Sequence, residues 1–127
     1  MSMAAQCLYV ALGGAVGAVG RYLMGIAPFF PKISFPLPTL LINLIGAFAI
    51  GLIAQLAAQK GLQNENLILF LKVGVCGGFT TFSTFSLETI TLFSDGKTAL
   101  GMLYIALSIA LCLLGVLLGQ WLAQKFA

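Results

Sequence analysis

The sequence predicts an all-α membrane protein of four transmembrane helices, the third broken near Gly77–Thr80. Three observations predict it: scarce charge, long uncharged apolar runs, and a cluster of glycines and hydroxyls inside one of those runs. Of 127 residues, 61% are hydrophobic and 7% charged, with six Lys or Arg, three Asp or Glu and no His. A soluble domain carries about a quarter charged residues, so this chain cannot dress a water-facing surface. The composition excludes a soluble globular domain, a disordered tail and a nucleic-acid binder. A net charge of +3 is too small to imply a polyanionic partner.

A spanning helix needs about 20 mostly apolar residues. Met1–Gly20, Ile33–Gln59 and Thr98–Gln124 carry no charged side chain, and each is long enough to cross. A fourth stretch, Asn66–Phe93, is interrupted by Lys72 and Glu88 around the uncharged centre Val73–Leu87. The expected helices are about 4–26, 37–59, 66–94 and 98–124, forming one transmembrane domain over 1–127. No basic residue precedes the first run and the first is Arg21, so that run reads as a retained helix, not a secretory signal. Pro28, Pro31, Pro36 and Pro38 mark the first link, Lys60-Gly61 the second and Asp95-Gly96 the third. Cys7, Cys76 and Cys112 are far apart in apolar stretches, and without His they form no metal-ligand pattern. They read as small buried side chains.

Polar residues in the spans are the informative ones. Three glycines within Gly74–Gly78 make a poor continuous helix, and five hydroxyl residues follow within Thr80–Ser86. A break inside a membrane survives only where protein or a water-filled cavity satisfies its backbone. Freed carbonyls favour a cation and a half-helix N-terminus favours an anion. The competing reading is a close helix crossing with the hydroxyls bonded to their own helix. Phe82 and Phe85 share a helical face that Phe79 extends across the break. Ring edges are electropositive and can touch an anion weakly. Asn43 with Thr39, and Tyr104, Ser108 and Cys112 at i, i+4 and i+8, add polar stripes on two more helices. Taken singly, each reads as interhelical glue; together they outline a hydrophilic route. Arg21 either caps helix carbonyls or makes a vestibule positive. Glu88 lies within the polar face of the third helix, where neighbouring hydroxyls can bond it, and its functional role is open.

Lys60, Lys72 and Lys125 fall on one side of a four-span chain; Arg21, Lys32 and Lys97 fall on the other. Equal counts give no positive-inside bias, which predicts insertion both ways up. The simpler account is one or two charges assigned to the wrong side. Gly13, Gly14, Gly17 and Gly20, with Gly115 and Gly119, offer close-packing stripes. With two-way insertion, the natural partner is an inverted copy in an antiparallel homodimer. Enzymatic readings lack parts: there is no His base, the three acids are scattered, and no phosphate-cradling Gly-Lys-Ser or Gly-Lys-Thr loop occurs.

The run Gly77-Gly78-Phe79-Thr80-Thr81-Phe82-Ser83-Thr84-Phe85-Ser86 resembles the signature of the CrcB/Fluc family of fluoride channels. The resemblance extends to Gly17 through Arg21 and Tyr22, to Pro38-Thr39 with Asn43 and Gly46, and to Tyr104 and Ser108. It implies a fluoride-selective channel for passive efflux in the bacterial plasma membrane, built as a dual-topology antiparallel homodimer. It implies a structural sodium ion held by backbone carbonyls at Gly77 and Thr80. It places the fluoride pore at Asn43, Phe82, Phe85, Ser83, Thr84, Tyr104 and Ser108, with Arg21 in a vestibule or structural role. Cys112 departs from the hydroxyl some members carry there. Two other classes compete: a small dual-topology multidrug transporter, which wants a buried acid absent from the first helix, and a non-transporting membrane assembly subunit.

Overall fold

A computed structural model describes residues 2–59 and 62–126. Among them the chain is entirely helical outside its links, with no strand. Helix α1 is Met3–Gly25, α2 is Leu37–Ala58 and α6 is Thr98–Gln124. The third span, Glu65–Ser94, is composite. It runs through α3 (Glu65–Ile68), a π-helical segment (Leu69–Cys76), α4 (Gly77–Phe79) and α5 (Phe82–Ser94). All four spans are long and apolar enough to cross a membrane. The 23 residues of α1 reach about 34 Å at 1.5 Å each, enough for a hydrocarbon core of about 30 Å.

The helix ends follow local chemistry. Ser2 caps α1 by accepting from the Ala5 N–H at 3.2 Å, and Asn64 caps α3 through the N–H groups of Asn66 and Leu67. Pro38 sits in the first turn of α2, where its missing N–H costs nothing. Helix α5 ends in a Schellman turn: Lys97 N–H bonds Leu92 C=O at 2.8 Å and Gly96 N–H bonds Phe93 C=O at 3.1 Å. Gly96 takes φ +78° there, which a side chain would disfavour. Lys97 Nζ donates to Ser34 Oγ at 2.7 Å, holding the first and third links together at one end of the bundle. Lys60 and Gly61, from the charge map and the second turn, lie outside the described residues.

Two parallel pairs build the bundle. Helix α1 packs along residues 65–79, and α2 packs along α6. A side chain on Gly13 would strike the Phe70 carbonyl, and one on Gly78 would come within 2.6 Å of the Gly14 carbonyl. Between α2 and α6, added atoms on Gly51 and Gly119 would strike the carbonyls of Val116 and Phe48. The small-residue stripes are therefore spent within one chain, where they let backbones touch. After the break the third span leaves α1 and packs on α6, Phe93 lying over Gly101. The buried apolar core is small, centred on Leu40, Leu92 and Tyr104, with Phe35, Phe85, Leu100, Leu107 and Leu111 around it. Large apolar side chains such as Leu12, Val16, Val19, Leu114 and Leu118 face outward, as a lipid-facing surface requires. Cys7 belongs to that outer face of α1 and is exposed, contrary to the buried role expected of it, whereas Cys76 is buried.

Candidate functional site

The interruption of the third span is two residues long. Thr80 (φ −79°, ψ 157°) and Thr81 (φ −149°, ψ 120°) are extended, at the middle of the span. Gly74, Gly77 and Gly78 are all helical. The break expected near Gly77–Thr80 falls at its C-terminal end: Gly74 and Gly78 admit α1, and β-branched Thr, at home in extended backbone, carries the break.

An unbroken helix would send the N–H groups of residues 81–84 to the carbonyls of residues 77–80. Here Thr81 N–H bonds Asn43 Oδ1 at 2.8 Å, and Asn43 Nδ2 donates back to Thr81 C=O at 3.0 Å. Thr84 N–H bonds the Thr81 hydroxyl at 3.1 Å, which caps α5. Thr80 sends its own N–H and its hydroxyl to Cys76 C=O, at 3.1 and 2.9 Å, which closes α4. Arg21 Nε donates to Gly78 C=O at 3.2 Å. The carbonyls of Gly77 and Thr80 are thereby deprived of their helical donors. Arg21 takes the capping role, its charge lying beside the break.

A broad open groove of about 450 Å³ runs past this point. Its walls include Asn43 and Ala47 of α2, Gly77, Thr80, Thr81, Phe82 and Phe85 of the third span, and Ser108 and Cys112 of α6. Phe82 is 79% exposed, and its ring lies 5.6 Å from that of Phe85. Ser108 is buried, and its hydroxyl finds no hydrogen-bond partner. Asn43, Phe82, Phe85 and Ser108 thus share one groove with Gly77 and Thr80.

Three of the expected pore residues sit elsewhere. Ser83 is exposed, its hydroxyl 3.3 Å from that of Thr81. Thr84 lines a separate cavity of about 210 Å³ with Arg21, Tyr22, Thr39 and Thr81. Tyr104 is fully buried: its ring packs against Phe35 and Phe85, and its hydroxyl donates to Glu88 Oε1 at 2.9 Å. Glu88 also accepts from Thr39 at 3.1 Å through Oε2. This three-helix junction joins α2, α5 and α6; hydroxyl partners for Glu88 were expected, but not these two, which lie 49 and 16 residues away in the sequence. Phe79 leaves the Phe82–Phe85 face and packs over Gly20 and Gly46, since two extended residues reset the helical phase.

A bundle of four spans with a polar break clamped open beside a lateral groove defines a small multi-pass membrane protein with polar groups gathered at one point inside its spans. The chain belongs to the CrcB-like family: the model described as CrcB-like protein, camphor resistance (CrcB), matches residues 8–120. It is 50% identical over 121 residues to the fluoride-specific ion channel FluC of Ruminiclostridium cellulolyticum, covering 93% of this chain and 92% of that one. It is similar to proteins of the same name from Geobacter sulfurreducens, at 45% identity (93% and 96% covered), and Rhizobium johnstonii, at 44% (96% and 98% covered).

Proposed function

We propose that this protein is a fluoride-selective channel that lets fluoride leave the cell passively, and that it transports without catalysing a reaction. The observation that carries the reading is the clamped break, which puts hydroxyls, an amide and two aromatic rings on one groove within the spans. The relatives' name supplies the ion, which the groove by itself does not. Fluoride is small and strongly hydrated, so hydroxyl and amide donors must replace its water, and they must hold it weakly enough to release it. Ser108 offers an unpaired hydroxyl, and Asn43 keeps a second N–H beyond the one given to Thr81. The edges of Phe82 and Phe85 add weak electropositive contacts.

The working unit in this reading is an antiparallel homodimer. The equal basic counts on the two sides support two-way insertion. The open groove supports a second copy as its cover, because a polar break left facing lipid costs several kcal/mol per unpaired group. Sodium fits the same place: the Gly77 and Thr80 carbonyls are neutral hard oxygens without helical donors, and both residues line the groove. Those two carbonyls would hold the ion, which would supply positive charge at the break.

The test is fluoride efflux from liposomes containing the purified protein, read with a fluoride electrode and no proton gradient. Fluoride release with sodium present, little chloride release, and slowing when sodium is withdrawn are expected. Failure to release fluoride in sodium rejects the channel.

A further inference from the structure

Cys112 has no task in the conduction scheme, yet it is half-buried on the groove wall. One turn before it stands Ser108, 8% exposed, with its hydroxyl unpaired. Buried polar atoms nearly always have partners, so an orphan on a groove wall marks a place for a ligand atom. We infer that Cys112 and Ser108 form a binding site for a soft monovalent cation of the Cu⁺ and Ag⁺ class, and that occupying it blocks the groove; the second half rests on the groove being the fluoride route.

The chemistry follows from the donors. Thiolate sulfur selects soft d¹⁰ ions over hard ones. On binding, the Cys112 S–H bond breaks, a sulfur–metal bond forms, and the proton passes to water in the groove; no atom changes oxidation state. Residues four apart on a helix hold their Cβ atoms about 5–6 Å apart, so thiolate and hydroxyl can approach a two-coordinate ion from opposite sides. Charge selects the valence. Ile50, Ile109, Leu113 and Val116 make the surrounding wall apolar. A thiolate with a monovalent cation is neutral there, whereas a divalent ion would leave a net charge without solvent. Cys76 faces the same groove but is 4% exposed, and Cys7 is exposed on α1 and is not part of the groove wall.

The probe is Ag⁺ alone, added to proteoliposomes in nitrate media that keep it in solution. Efflux before addition reports the channel reading separately. A tightly held cation stops passage, so wild-type flux is expected to fall about tenfold or more at micromolar Ag⁺ and to return with excess dithiothreitol. Cys7→Ser and Cys76→Ser are expected to stay sensitive, and Cys112→Ser to resist. Ser108→Ala should need about tenfold more Ag⁺ for half block, the loss of one ligand. Undiminished wild-type flux, or a Cys112→Ser protein blocked as strongly as wild type, overturns the site; equal sensitivity of Ser108→Ala overturns the two-donor form. Should the protein pass no fluoride, mass spectrometry of maleimide labelling reads the site directly. Ag⁺ then shields Cys112 from the label, and unshielded labelling overturns the inference.

Discussion

Replacing Asn43 with Leu tests the clamp that holds the break. The substitution keeps a side chain of similar volume and removes both hydrogen bonds to Thr81, at 2.8 and 3.0 Å. It strands one backbone donor, and it deprives the Thr81 carbonyl of its side-chain partner. A stranded buried group costs about 1–3 kcal/mol. Thr81 is half-buried on the groove, so the lower end applies, about 2 kcal/mol for the pair. That is about 30-fold in the population holding the break in place. Expected outcomes are earlier thermal unfolding in detergent and fluoride efflux reduced about tenfold or more. Asn43→Asp separates the two bonds: it keeps an acceptor for Thr81 N–H, loses the donor, and adds a negative charge that repels an anion. Its stability should fall about half as far as that of Asn43→Leu, while flux falls further. If Asn43→Leu unfolds and conducts like wild type, the clamp carries no weight. If flux is lost with stability intact, Asn43 acts on the ion and not on the backbone.

Replacing Phe82 or Phe85 with Ile should lower fluoride flux while size-exclusion chromatography shows the same assembly; unchanged flux removes the rings from the route. Tyr104→Phe keeps the ring packing on Phe35 and Phe85 but deletes the bond to Glu88, and should cost about 1–2 kcal/mol in unfolding measurements. Gly17→Leu should abolish monodisperse protein, because its Cβ would strike the Val75 carbonyl and lie 2.7 Å from Phe79 N. Two Lys residues added to one face of the charge map should bias insertion and reduce flux when that chain is expressed alone; full activity with one-way insertion would falsify the antiparallel unit.

The spans were legible because lipid imposes a crude rule. Uncharged runs, trimmed by turn residues to 4–26, 37–59 and 98–124, located α1, α2 and α6 to within one residue at each end. The third span was legible as interrupted near Gly77–Thr80, and the break falls at the end of that range, at Thr80 and Thr81. Gly74, Gly77 and Gly78 signal both a weak helix and a close crossing, and sequence alone does not weigh one against the other. The crossing with α1 decides it, and that depends on Gly13 and Gly14, some 60 residues earlier in the chain. The groove-lining residues Asn43, Phe82, Phe85 and Ser108 share a feature a sequence can show, polar or aromatic character where lipid would exclude it or stack it. Tyr104 carries the same signal for a different reason, since its hydroxyl serves Glu88. Polarity in a span therefore reports that a partner exists, and only packing reports whether that partner is protein.

The identity of the breaking residues bears on how the site works. Glycine at positions 80 and 81 would allow the extended conformation but would not hold it. Thr80 and Thr81 hold it with their own atoms: one hydroxyl closes α4 on Cys76, and the other opens α5 at Thr84. Asn43 then holds the extended segment at Thr81, and Arg21 holds the end of α4 at Gly78. Each of these hydrogen bonds at the break lies within one chain. A cation arriving at the Gly77 and Thr80 carbonyls would meet oxygens already freed, and its binding energy would go into joining copies instead of bending a helix. Sodium removal should accordingly weaken the assembly, seen as dissociation on size exclusion, while circular dichroism of the released chain keeps its helical content. Loss of helix together with dissociation would show that the ion makes the break.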